Sequence, residues 1–116
     1  MNYSLLFVLA LWWRFPQHRQ TALQFLLHDD FAGNRSDAAN YLGSYYRGTQ
    51  DPAMLTILAA IVLNTTEDFY VRRTAYGAMR EIVNSNLREV WNITMTDGEE
   101  QFEKIVDWDF VRSHAG

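Results

Sequence analysis

The stretch DPAMLTILAAIVLNTTEDFYVRRTAYGAMREIVN, Asp51 to Asn84, joins an almost wholly apolar segment to a polar break and then to a segment with small residues at helical spacing. Asp51-Pro52 marks a helix start. The Asp side chain can accept from a free first-turn amide, and Pro at the first helical position gives up no needed donor. From Ala53 to Leu63 only Thr56 is polar, so the expectation is a central helix, covered by neighbours on most sides. In the TTED break, Thr65 with Asp68 approximates a capping box, with Thr66 or Asp68 as alternative caps. Beyond it Val71, Ala75, Ala78, Met79 and Ile82 share one face, while Arg72, Arg73, Arg80, Glu81 and Asn84 lie mainly elsewhere. A helix striped in this way is expected at the edge of the helical assembly, running to about Trp91.

Working outward, strand signals are weak, and turn residues divide the chain into segments of helical length. Pro16 closes the N-terminal run, and QHRQTALQFLLHDD follows with Ala22, Phe25 and Leu26 on one side of a helix. FAGN, Phe31 to Asn34, reads as a turn. The next helix is expected from about Ser36 to Arg47, stopped by Gly48, which tolerates the left-handed conformation of a helix end. NITMTDG, Asn92 to Gly98, reads as a loop. EEQFEKIVDWDFVRSHAG reads as one last acidic helix carrying Phe102, Ile105 and Val106. The sum is an all-α chain of about six helices.

The 116 residues suit a single domain, 1–116, and with 48% hydrophobic, 15% aromatic and 21% charged residues the chain should fold around a true core. It has no cysteine, so no disulfide framework is called for and a reducing compartment such as the cytoplasm is compatible. Net charge is -4, and no basic stripe of the kind that phosphate contacts require is visible, which argues against nucleic acid as a partner. Six acids between Asp97 and Asp109 are read as a solvated helix face, with a basic partner as the alternative. The apolar run SLLFVLALWWRF, Ser4 to Phe15, lacks a basic flank and a small-residue cleavage site and falls short of the roughly 20 residues a spanning helix needs. It is read as a buried helix with Trp12 and Trp13 over the core, and no membrane is implied. A signal anchor is the alternative, and only then would the Asn-x-Ser/Thr triplets at Asn34, Asn64 and Asn92 matter.

Arg-x-x-Ala-x-x-x-Leu/Met occurs at Arg35-Ala38-Leu42 and again, 37 residues on, at Arg72-Ala75-Met79. Its first half returns at Arg112 and Ala115. A period of this order is what helical-hairpin repeats show, although the same motif at Arg19-Ala22-Leu26 comes too soon for a full hairpin. With the intervening segment, Ala38 to Ile82 resembles the HEAT-repeat family, in particular its short bacterial type. Ala-x-x-x-Leu-Gly closes one helix, Asp-Pro opens the second, and Asp-x-x-Val-Arg-x-x-Ala opens the next repeat. The resemblance covers about 45 residues well. It implies a short α-α superhelix of HEAT-like hairpins, in which Ala38 and Ala75 stand where helices approach closely. It also implies a structural ion pair between Arg72 and Asp51 or a turn acid near it.

Signals for chemistry are thin. There is no Gly-x-Ser-x-Gly turn and no Gly-rich phosphate loop. His28-Asp29-Asp30 groups a histidine with two carboxylates that point apart, and no metal or other cofactor is expected. Glu99, Glu100 and Glu103 share a helical side without forming an acid/base pair. Gly77, inside a helix, is read as a point where another backbone crosses closely, with a merely permissive site as the alternative. Tyr45, Tyr46 and Arg47, together with Arg73, Arg80 and Glu81, are the candidate protein-binding residues, because Tyr and Arg are enriched where proteins meet. The expected function is a non-catalytic protein–protein interaction module, a small bacterial adaptor or a toxin-blocking immunity-type protein with a basic partner. The alternative is an enzyme or enzyme subunit of the bilin lyase-like or DNA glycosylase-like type, with Trp108-Asp109 the one pair suggestive of a glycosylase.

Overall fold

The computed structural model describes residues 17–84 and 86–116, so the reading of Ser4 to Phe15, Trp12 and Trp13 included, lies outside the described residues. Within them the chain is all-helical. The helices are α1 (Gln17–His28), α2 (Ala32–Tyr45), α3 (Pro52–Leu63), α4 (Phe69–Asn84), α5 (Leu87–Thr94), α6 (Glu99–Ile105) and α7 (Trp108–His114).

Local chemistry sets most boundaries. Ala22, Phe25 and Leu26 bury the inner side of α1, as their spacing requires. The Asp51 carboxylate accepts from the Met54 N–H at 2.9 Å and, with Pro52 behind it, starts α3. Asp68 Oδ1 accepts from the Tyr70 N–H at 2.8 Å at the start of α4. Three expected boundaries differ. FAGN is not a turn: Phe31 is the N-cap of α2, and Asp29, which accepts from the Phe31 N–H at 2.8 Å, ties down the entry. The striped helix stops at Asn84 rather than Trp91, because Asn86 caps a separate α5 through the Glu89 N–H. The last acidic segment is two helices, since Asp107 accepts from the Phe110 N–H at 3.0 Å and restarts the chain as α7.

α2 and α4 run side by side in the same direction. Ser36 Oγ lies 2.8 Å from Thr74 Oγ1, Gly43 abuts Ala78, and Arg47 pairs with Glu81 at 2.8 Å, an order that rises along both helices. α3 runs back between them in sequence and packs on α4 and α7, while α1 packs on α2 and α5 on α4. The loops lock this arrangement. Gly48 and Gln50, both at positive φ, donate their N–H groups to the Glu81 and Ile82 carbonyls at 3.1 Å, satisfying acceptors left open at the end of α4. At the other end Arg35 binds Glu67 with two hydrogen bonds, 2.8 and 3.0 Å long.

Burial alone would push the Glu67 carboxyl up, but the Arg35 and Asp68 hydrogen bonds and the Arg35 charge outweigh it and hold it below its ordinary value. A carboxylate with a depressed folded pKa stabilises the fold above its unfolded pKa, and that contribution is lost as pH falls through the folded value. Arg35→Gln is therefore expected to cost about 1 kcal/mol at neutral pH and to flatten the fall in stability below about pH 4.5, read from urea melts across pH.

The centre of the molecule is α4. It buries Val71, Arg72, Ala75, Tyr76, Gly77, Ala78, Met79, Glu81 and Ile82 against α2, α3 and α5, whereas α3 leaves Pro52, Ala53, Thr56 and Ala60 open to water. This inverts the expectation drawn from polarity. Small apolar residues such as Ala53 and Ala60 sit at a surface at little cost. Conversely Arg72 and Glu81 are polar yet buried, because each has found a partner.

Candidate functional site

The site is built on the α2–α4 pair. Glu81, whose side chain is only 5% exposed, accepts from Arg47 Nε at 3.0 Å and Nη2 at 2.8 Å, both at Oε1. Glu81 also borders a slot of about 170 Å³ between the two helices. Ser36, Asp37 and Asn40 of α2 line it on one side and Thr74 and Gly77 of α4 on the other, with Val90 and Thr94 of α5 closing it. Drug-sized ligands occupy pockets of about 300–1,000 Å³, so this slot has room for one long side chain and little more. Its lining carries two carboxylates, those of Asp37 and Glu81, and that of Glu81 is paired with Arg47.

The six residues singled out in the sequence divide into groups. Tyr45 and Tyr46 are half-buried, with rings 4.9 Å apart edge to face, and Tyr45 also stacks on Tyr41 at 6.2 Å. Tyr46 Oη accepts from Arg19 Nη1 at 2.9 Å. Burial, and then the two neighbouring tyrosines, push the Tyr41 phenol up. Arg47 and Glu81 meet beside this cluster. Arg73 lies farther back along α4, its Nη1 donating to the Thr96 carbonyl at 3.0 Å and its guanidinium 4.9 Å from the Tyr70 ring. Arg80 faces α5 and α7, donating to Glu89 at 2.7 Å and lying over the Phe110 ring at 4.6 Å. Ser36, Asp37, Asn40 and Thr74 were not singled out, although their helical spacing (36, 37 and 40 on one helix, 74 and 81 on the next) was the signal that could have found them.

Two further expectations are corrected. Arg72 does not pair with Asp51, which is engaged at the start of α3. Its Nε donates to the Val62 carbonyl at 2.9 Å, closing an open acceptor at the end of α3, and its Nη1 stands 3.9 Å from Glu103. Gly77 is not the close crossing. A Cβ there would meet Ile93 and Val90 side chains at 3.7 and 3.8 Å, ordinary contact distances, whereas at Gly43 it would stand 2.7 Å from the Ala78 Cβ and 2.8 Å from its Cα.

Of the thinner candidates, Asp29 is occupied by Phe31 and Asn34, and no group of three His, Asp or Glu side chains among the described residues could share a metal ion. Trp108 Nε1 donates to the Glu103 carbonyl at 3.1 Å, while Asp109 is exposed and pairs with Arg112 at 3.1 Å. Glu99, Glu100 and Glu103 are exposed, with Glu100 3.5 Å from Lys104. No described helix is long and apolar enough to cross a membrane. Comparison with known proteins finds no matching family model, no similar curated protein and no similar solved structure.

Proposed function

We propose that the chain is a non-catalytic binding module of HEAT-like helical hairpins. Its type is the small bacterial adaptor or toxin-blocking immunity protein, working in the cytoplasm through contact with a basic protein partner. The observation that carries this reading is the slot beside Glu81. A lysine or arginine side chain of a partner, entering between α2 and α4, would meet the Glu81 carboxylate and the Asn40 amide. Charge-assisted hydrogen bonds of this kind are about twice as strong as neutral ones. The half-buried Tyr45 and Tyr46 and the exposed Arg47, at the end of α2, supply large, amphipathic contact area of the kind found at interface centres. Parallel packing of α2 and α4, whose sequences repeat at 37 residues, is what stacked hairpins require.

The test places a competing cation at the mouth of the slot. Asn40 is exposed, so Asn40→Arg should leave the fold intact and reduce capture of the partner from a lysate of the native source by at least about tenfold, equivalent to about 1.4 kcal/mol. Capture unchanged by Asn40→Arg would remove the slot from the interface. A visible absorption band on mixing with a bilin, or salt-sensitive binding to DNA, would speak for the enzyme types instead.

A further inference from the structure

Helix α5 is apolar on two sides. Its inner side packs Ile93, buried, and Val90, half-buried, against α4 at Gly77. Its outer side carries Leu87 and Trp91, continued by Met95 at the helix end, and the three are 53%, 62% and 61% exposed. Spaced four residues apart, they form one stripe along the helix. The outward side of a surface helix is ordinarily polar, and leucine, tryptophan and methionine in a row are an arrangement that proteins keep for contacts.

We propose that this stripe is a self-complementary interface through which two copies of the chain pair, their α5 helices antiparallel about Trp91. Leu87 and Met95 stand equidistant from Trp91 along the chain, so a two-fold axis at Trp91 sets Leu87 of each copy against Met95 of the other and stacks the two indoles. The flanking charges select both the partner and the direction. Arg88, next to the stripe in the first turn, is exposed and forms no ion pair among the described residues. Asp97, just past the other end of α5, is exposed, and its carboxylate is likewise without a hydrogen bond or ion pair among them. Antiparallel pairing brings Arg88 of each copy to the end of the other's α5, where Asp97 lies and where the helix dipole also favours a cation. Parallel pairing would set Arg88 against Arg88. Three side chains per copy are few for a standard interface, so the dimer is weak, with a dissociation constant of about 10–100 µM. This pairing uses a different face from the Glu81 slot and stands or falls independently of it.

Sedimentation equilibrium of the full chain up to about 1 mM decides it. The expected result is a reversible monomer–dimer equilibrium that Trp91→Glu abolishes without unfolding the protein, since Trp91 is exposed. Arg88→Glu should weaken pairing at least about tenfold, and the double exchange Arg88→Glu with Asp97→Arg should restore it. A chain still monomeric at the highest concentration overturns the proposal. A dimer indifferent to Trp91→Glu overturns the surface, and a double exchange that fails to restore pairing overturns the antiparallel arrangement.

Discussion

Replacing Phe102 with alanine is expected to destabilise the protein by about 4 kcal/mol, a large share of the roughly 5–15 kcal/mol that holds a domain of this size together. Phe102 is fully buried and is the one residue of α6 that is buried, so the attachment of that helix depends on it. Its ring meets Phe69, Tyr76 and Trp108 edge to face, with centroids 5.7, 6.2 and 6.3 Å away, and the Arg72 guanidinium stands 5.6 Å from its centre. Removing the ring costs the transfer energy of its carbons, leaves a cavity between α4, α6 and α7, and strips the cover from a buried cation. Phe102→Leu keeps most of the volume and should cost no more than about 1.5 kcal/mol. Urea unfolding of the two variants reads the difference, and a loss below about 1 kcal/mol for the alanine variant would mean that α6 packs differently.

Gly43→Ala is expected to cost about 2–3 kcal/mol, and Gly77→Ala to gain up to about 1 kcal/mol, though both put the same methyl group into a helix interior. At Gly43 the new carbon would overlap the Cα and Cβ of Ala78, atoms that no side-chain rotation can move, so α2 and α4 must separate. The gain in helix propensity, about 1 kcal/mol, offsets only part of that strain. At Gly77 the neighbours are ordinary contacts with Ile93 and Val90, and propensity decides the sign. A melting temperature lower by about 10 °C for one variant and higher by a few degrees for the other is the expected pattern. Equal effects of the two substitutions would deny the close approach at Gly43.

Much of the helical framework was legible. Asp51-Pro52 located the start of α3 because cap chemistry is local, and the inner faces of α1 and α4 followed from spacing alone. What failed was non-local. Whether α3 or α4 is central depends on what covers Arg72 and Glu81, and their partners, the Val62 carbonyl and Arg47, are 10 and 34 residues away in sequence. Gly77 drew attention by lying inside a helix, yet the contact that demands a glycine is at Gly43, where the need arises from a neighbour 35 residues on. Likewise the six candidate binding residues were chosen by type. Their side chains diverge to three places because Arg73 and Arg80 are held by Thr96 and by Glu89, whose positions the helix breaks at Asn86 and Gly98 determine. The slot needed two helices in register before its polar residues could be seen as one group.

Parallel, in-register packing of α2 on α4 underlies the slot, the glycine contact and the resemblance to stacked hairpins, and a crosslink examines it directly. The chain contains no cysteine, so a Ser36→Cys, Thr74→Cys double variant has a single possible intramolecular disulfide. With the two hydroxyl oxygens now 2.8 Å apart, mild oxidation should close that bond rapidly and nearly completely, while Ser36→Cys with Thr56→Cys, on the open side of α3, stays reduced within the monomer. Failure of the first pair to crosslink, or equal crosslinking of the second, would contradict the arrangement.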